Sequence, residues 1–257
     1  MGTPSTGPTD PAGAALTPSQ PTLSVVIPAF NEAGRIGPTL ERITRFVSAH
    51  HLDAEVIVID DGSTDTTAEV ARRFADDRIQ VLGNEHNSGK GYSVRRGILQ
   101  ARGTWVLFTD ADLSAPIEEV DRLLDATRDG ADIAIGSRAV DRSKIVVHQS
   151  RSREVGGIIY NRAVQLILGL RLQDTQCGFK LFRREAVVEV FKRQTIPGFG
   201  FDPEILFLAK QRGLEIREVP VVWSHDEGTK VRFLADGIGM FLDLLKIRFR
   251  WAMGRYR

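Results

Sequence analysis

Trp105-Val106-Leu107-Phe108-Thr109-Asp110-Ala111-Asp112 is an apolar run cut off by two carboxylates one residue apart. A short run rich in aromatic and β-branched residues and bounded by acidic ones reads as a buried strand that ends at the edge of a sheet. The same pattern recurs three times on its N-terminal side. Leu23 to Ile27 leads into Pro28-Ala29-Phe30-Asn31-Glu32, Glu55 to Ile59 into Asp60-Asp61-Gly62-Ser63, and Ile79 to Leu82 into Asn87-Ser88-Gly89-Lys90-Gly91. Between the first two runs, Ile36, Leu40, Ile43 and Val47 recur at helical spacing. Thr64 or Asp65 is placed to cap the next helix, and another helix runs to Ala101. Strands alternating with helices of this length imply an α/β fold, paired mostly in parallel through right-handed crossovers, with helices on both faces. Polar loops then gather along the carboxyl edge, where open α/β sheets hold their ligands.

Further along, Ile133 to Gly136 reads as another strand, Val155 to Leu168 as a helix, Glu215 to Trp223 as a late strand and Phe233 to Met253 as a terminal helix. No internal repeat is visible. Three regions follow: a flexible tail over 1–21, a main α/β domain over 22–232, and an amphipathic basic helix over 233–257. The tail is a Thr, Pro, Ser, Gly and Ala mixture without apolar periodicity, and it lacks the basic start and apolar core of a secretory signal.

The 257 residues are 42% hydrophobic and 26% charged, which suits one large domain with a well-buried core. A net charge of +1 provides no electrostatic reason to expect nucleic acid. Cys177 is the single cysteine, so no intrachain disulfide forms, in keeping with a reducing compartment, and it reads as a small buried residue. The five histidines lack metal-ligand spacing, and no Gly-x-Ser-x-Gly elbow is present. No apolar stretch of about eighteen residues offers a membrane-spanning helix.

Asp110 and Asp112 are hard oxygen ligands of the kind that hold Mg²⁺ or Mn²⁺ together with substrate phosphates, so a nucleotide diphosphate is the expected partner. Asp60 or Asp61 suits a base edge or ribose hydroxyl, because an ionised carboxylate only accepts. Lys90 offers a point charge to phosphate, with Gly89 and Gly91 permitting close backbone approach. Neither the P-loop spacing nor the Gly-x-Gly-x-x-Gly dinucleotide pattern occurs.

These four motifs resemble, in order and spacing, those of the family-2 inverting glycosyltransferases with the GT-A fold. Ala134-Ile135-Gly136-Ser137-Arg138, Asp174-Thr175-Gln176-Cys177-Gly178-Phe179-Lys180 and Gly200-Phe201-Asp202-Pro203-Glu204 resemble the polyprenyl-phosphate hexosyltransferase branch, with Asp174 to Phe182 most similar to the dolichyl-phosphate β-glucosyltransferases. The resemblance implies a Rossmann-like mostly parallel sheet. It also implies that Pro28, Ala29, Phe30 and Glu32 line a nucleotide pocket, that Asp61 is near the base and Lys90 near the nucleotide, and that Asp110-Ala111-Asp112 stand at the metal and diphosphate. Asp112 and Asp202 are the expected catalytic residues, Asp202 either as a base or as an orienting group.

The activity so implied is transfer of glucose from UDP-glucose to a polyprenyl (dolichyl-type) phosphate in a single metal-dependent displacement with Mg²⁺ or Mn²⁺. The alternatives are mannose from GDP-mannose to the same lipid, a soluble acceptor, or a non-catalytic nucleotide-sugar-binding protein. A lipid phosphate is already ionised, so cations are the scarcer requirement. Arg138, Lys230 and Arg232 lie in polar loops and suit it; Gln176, Gly178 and Lys180 are placed on the acceptor side by the resemblance. The Arg-rich segment Arg138 to Arg153 suggests a mobile lid.

In the terminal helix, Asp236, Asp243, Lys246 and Arg250 fall in one stripe, while Ile238, Phe241, Leu242, Leu245 and Phe249 spread over the other side. With Trp251, Arg248, Arg255 and Arg257, this is the composition of an interfacial anchor, so peripheral attachment at the cytoplasmic face of a membrane is expected.

Overall fold

The computed structural model describes residues 20–147, 149–225 and 233–256, with no side-chain description before residue 237 in the terminal helix. Almost all of the expected tail, and both Lys230 and Arg232, lie outside the described residues.

Seven strands form one sheet in the order β3-β2-β1-β4-β7-β5-β8. They are β1 (Leu23–Ala29), β2 (Ala54–Asp60), β3 (Ile79–Gly83), β4 (Trp105–Thr109), β5 (Ile133–Ser137), β7 (Phe179–Arg183) and β8 (Ile216–Pro220). Two short strands, β6 (Ile145–Val147) and β9 (Trp223–Ser224), pair separately. The helices are α1 (Ala33–Ala49), α2 (Thr67–Arg72), α3 (Lys90–Gln100), α4 (Val120–Arg128), α5 (Arg151–Leu168), α6 (Arg184–Arg193), α7 (Phe201–Gln211) and α8 (Phe233–Ala252).

Alternation along β1 builds both core layers, because successive side chains of a strand point to opposite faces. Leu23, Val25 and Ile27 join Ile36, Leu40, Ile43 and Val47 of α1 and Leu123 of α4, whereas Val26 packs with Val94 and Ile98 of α3 and with α5 to α8. Every residue of β1 and β2 is buried, as expected for strands covered on both faces. Pro28 lies beyond Val26, the last β1 residue paired with β4, where a missing N–H is tolerated.

The sheet departs from parallel at β7, which lies antiparallel between β4 and β5. Reversal carries the start of β7 to the carboxyl ends of its neighbours, with Phe179 opposite Thr109. The turn from Asp174 to Gly178 is thereby delivered to the edge that carries Asp110. Helices α4, α6 and α7 were not evident from periodicity. The expected late strand divides into β8 and β9. Helix α2 starts at Thr67, so the cap position falls on Thr66 rather than on Thr64 or Asp65, although Asp65 Oδ1 does accept from the Thr67 N–H at 2.9 Å. The expected lid is not a bare loop: it holds a 3-10 turn over Arg142–Lys144 and strand β6, which pairs with β9. Among the described residues, no helix is long and apolar enough to cross a membrane.

Candidate active site

The loops after β1, β2 and β3 brace one another through polar side chains. Asn31, in the left-handed region at φ 54°, accepts at Oδ1 from the Thr64 and Asp65 N–H groups, and its own N–H donates to Ser63 Oγ. The Glu32 N–H donates to Thr67 Oγ1, and Arg35 pairs with the Glu32 carboxylate at 3.1 Å. Asp60 accepts from the Ser63 N–H at 3.4 Å.

Asp61, expected near a base, is buried and has both oxygens engaged. Oδ1 accepts from Asn84 Nδ2 at 2.6 Å and the Ser88 N–H at 2.9 Å, and Oδ2 from the Gly89 N–H at 2.8 Å. Its first role in this structure is to shape the 84–89 loop and hence the start of α3. Gly89, at φ 100°, ends that loop in a conformation L side chains rarely adopt, and Lys90 follows as the first helical residue.

Lys90 Nζ lies 2.7 Å from Asp110 Oδ1 and 5.3 Å from the centre of the Phe108 ring. Burial alone would lower the affinity of the Lys90 amine for its proton, but Asp110, Asp202 and Asp112 outweigh it and hold the ammonium form. Asp112 accepts from the Ser114 N–H at 3.0 Å. Its carboxyl is pushed up by burial and then by the like charge of Asp110. Ala111 between them is buried, and Leu113 takes φ 46°, turning the chain sharply after the pair.

Behind this pair lies a second, deeper one. Lys180 is fully buried on β7, and its ammonium donates to Asp202 Oδ1 and to the Cys177 carbonyl, each at 2.5 Å, 5.7 Å from the centre of the Phe108 ring. Asp202 is the second residue of α7; burial raises its carboxyl, opposed by Lys180 and Lys90. Lys180, expected on the acceptor side, is thus a buried residue whose ammonium is engaged by the Cys177 carbonyl and by its carboxylate partner Asp202. Cys177 is buried and its thiol is pushed up to about 12 by burial, so it is no nucleophile at neutral pH.

The turn 174–178 is the wall between this centre and a neighbouring cavity of about 490 Å³. On one side Gly178 stands so close to Asp110 that a Cβ there would overlap the carboxylate. On the other, Gln176 lines the cavity with Arg138, Arg142, Arg153, Asp174 and Trp223. Arg138, expected at an acceptor phosphate, is held by Asp174: Nε and Nη2 donate to its two oxygens at 2.6 and 2.8 Å, over the Trp223 ring. The guanidinium is thus fixed at the cavity wall with part of its charge already matched. Gln176 Nε2 is buried without a hydrogen-bond partner among the described residues, an unused donor at the same wall.

Among the described residues, no cluster of three or more His, Cys, Asp or Glu could chelate a metal by itself. The two carboxylates at the tip of β4 do fit Mg²⁺ or Mn²⁺ shared with a diphosphate, since a hard cation between them relieves the repulsion that burdens Asp112. Of the residues singled out in the sequence, the structure brings Lys90, Asp110, Asp112 and Asp202 together. The pairing of Lys180 with Asp202 and of Arg138 with Asp174, and the loop-shaping role of Asp61, were not legible in the sequence, because each joins residues far apart in the chain.

Residues 24–191 match glycosyl transferase family 2. The dolichyl-phosphate beta-glucosyltransferase of Saccharomyces cerevisiae is 35% identical over 258 residues, covering 91% of this chain and 76% of that protein. The human protein of the same name is 32% identical over 250 residues, covering 91% and 77%. Among solved structures, glucosyl-3-phosphoglycerate synthase from Mycobacterium tuberculosis with Mn²⁺ and UDP-glucose superposes with a TM-score of 0.67 at 24% identity, over 89% of this chain and 79% of that one. That likeness establishes the fold.

Proposed function

The chain belongs to glycosyl transferase family 2, and from that premise we propose that it transfers glucose from UDP-glucose to a dolichyl-type polyprenyl phosphate. The observation that carries this reading is the shared wall 174–178, with an acidic, lysine-backed centre against Gly178 and an arginine-lined cavity against Gln176. A nucleotide diphosphate suits the first and an anionic acceptor the second. The names of the relatives, dolichyl-phosphate beta-glucosyltransferase, support the sugar and the lipid.

In the proposed reaction an acceptor phosphate oxygen attacks the anomeric carbon, the bond from that carbon to the UDP oxygen breaks, and UDP leaves with the bonding electrons. Attack from the opposite face inverts the anomeric centre to a β-linked product. The phosphate monoester is ionised at neutral pH, so no side chain has to remove a proton from it. Asp202, clamped by Lys180, accordingly acts as a fixed negative charge that orients its surroundings. Asp110 and Asp112 would hold a divalent cation that neutralises the diphosphate as it leaves. Lys90 stands beside the same charge, and the Arg138, Arg142 and Arg153 side of the cavity would hold the acceptor headgroup. The enzyme would then work peripheral to a membrane, since its acceptor is a lipid.

The test is transfer of radiolabel from UDP-glucose or GDP-mannose to dolichyl phosphate, with Mn²⁺ or with chelator. Label entering the lipid from UDP-glucose, abolished by chelator, is the expected result. Inertness of dolichyl phosphate toward both donors would overturn the reading.

A further inference from the structure

Helix α8 docks on the domain by a different face from the one its composition suggests. Leu244 and Ile247 are buried, and Met240 and Trp251 pack on the same core layer, Trp251 edge-on to Phe207 at 5.5 Å. Arg250 donates to Thr195 Oγ1, and Asp243 abuts Gly200, where a Cβ would meet its carboxylate. Asp243 and Arg250 of the polar stripe thus face inward. The wide apolar face, Ile238, Phe241, Leu242, Leu245, Phe249 and Met253, points away from the protein, with Leu245 56% and Phe249 60% exposed.

Helix α5 lies alongside, with the Tyr160 ring edge-on to Phe241 at 5.4 Å, and it shows the same division. Tyr160, Val164 and Leu168 are buried, while Val155, Ile158, Ile159 and Leu166 are exposed, Leu166 to 84%. At about 100° per residue, each exposed set falls in one arc opposite the buried one. With roughly half of each side chain uncovered, the joint face amounts to at least several hundred Å² of apolar surface, and patches of that size on monomers mark an interaction site.

Two features identify what this face meets. Its exposed charges are basic: Arg151 and Arg162 on α5, Arg248 and Arg255 on or just after α8. The acidic side chains described on these helices are Glu154, paired with Arg142, and the largely covered Asp243, paired with Lys246. The face is also continuous with the cavity, because Ile158 and Arg162 belong to both. An amphiphile with its anionic head among the arginines would pass its hydrocarbon over Ile158 onto the apolar surface.

We propose that the outward faces of α5 and α8 form a single surface that seats on an anionic lipid bilayer, apolar side chains entering the headgroup boundary and flanking arginines meeting lipid phosphates. The arginine-lined cavity opens at its margin, a feature that rests on the lipid-phosphate acceptor proposed above; the docking itself does not.

The test is co-sedimentation of the full chain with vesicles of phosphatidylcholine alone and of phosphatidylcholine mixed with phosphatidylserine, with transfer to a water-soluble short-chain isoprenyl phosphate measured in parallel. The parent protein should pellet with the mixed vesicles and far less with the neutral ones. The triple variant L166E/L245E/F249E should bind them at least about tenfold more weakly, and R248E/R255E should lose the preference for anionic lipid; both should keep transfer to the short acceptor. The proposal is overturned if the parent stays in the supernatant, if the triple variant pellets as well as the parent, or if light scattering shows a dimer that the triple variant dissolves, since a second copy would then cover the face. Vesicle binding with no transfer to the short-chain acceptor or to dolichyl phosphate would sink the functional reading alone.

Discussion

Lys180 Nζ and Asp202 Oδ1 form a buried ion pair 2.5 Å apart, and the Lys180 ammonium shares the Phe108 ring with Lys90. Two cations on one aromatic ring, facing Asp202 and Asp110, tie the deep pair to the acidic tip of β4. Removing one member of such a pair leaves an uncompensated buried charge, which costs about 3 kcal/mol or more. Lys180→Met should therefore lower unfolding free energy by about that amount in urea titrations, and adding Asp202→Asn should recover a large part of it. A single variant as stable as the parent would show that the pair is not what holds Asp202.

Gly178→Ala tests the wall of the site. The added methyl meets the Asp110 carboxylate, the end of a side chain that can swing aside, so the fold should survive while Asp110 is displaced. The expected outcome is a Tm near that of the parent, with Mn²⁺-dependent stabilisation by UDP weakened at least about tenfold. Unchanged nucleotide binding would dissociate Asp110 from the diphosphate site.

Asp112→Asn removes a charge from the metal pair but keeps the side-chain oxygen that accepts from Ser114. Loss of a group that stabilises a leaving anion commonly costs about 10²-fold or more in kcat. Turnover should fall by that order while the thermal midpoint holds or rises, because the buried like-charge contact with Asp110 is relieved. Steady-state rates and calorimetry on the same preparation read both effects.

Acid stability should depend on Asp174. Burial alone would raise its carboxyl, but the two-pronged Arg138 contact outweighs that and holds it at about 2, below its ordinary 3.8. A depressed carboxyl contributes stability that is complete above its unfolded value and lost as pH falls through the folded one. The contribution, about 2 kcal/mol, should vanish between roughly pH 4 and pH 2, and Asp174→Asn should flatten that limb of the stability profile. A variant with the parent's acid slope would place the titration elsewhere.

The end of the chain is tied to the site through Glu204. This fully buried carboxylate accepts from Tyr256 OH at 2.6 Å, from the Thr195 and Ile196 N–H groups and from Thr195 Oγ1. The Pro197 carbonyl in turn accepts from the Tyr92 N–H in α3. Tyr256→Phe should cost about 1 kcal/mol by loss of one buried hydrogen bond, measured by urea unfolding, and leave the far-ultraviolet spectrum unchanged.

Local periodicity was enough to locate the elements whose burial repeats within a few residues. Val25 and Ile27 against Val26, and Ile36, Leu40 and Ile43 along α1, carry their partition between the two core layers in their spacing, and the carboxylates after β4 announce the sheet edge because polar residues end an apolar run there. What a charge touches is another matter. Lys180 and Asp202 are 22 residues apart, Arg138 and Asp174 are 36 apart, and Asp61 reaches 28 residues to Gly89. Each was legible as a charged residue, but its partner was not: the antiparallel insertion of β7 brings the segment from Asp174 to Lys180 beside Arg138, the docking of α7 brings Asp202 to Lys180, and Asp61 meets the neutral donors of the loop after β3. The same holds for α8: its sequence determines that it has a wide apolar face, yet packing chose the narrower seam of Leu244 and Ile247 and left the wide face outward. Residue type and period are properties of neighbours along the chain, so the sequence by itself determined the elements and the chemistry available at their ends; ion pairing and helix orientation depend on distances across the fold, and only the tertiary structure decided them.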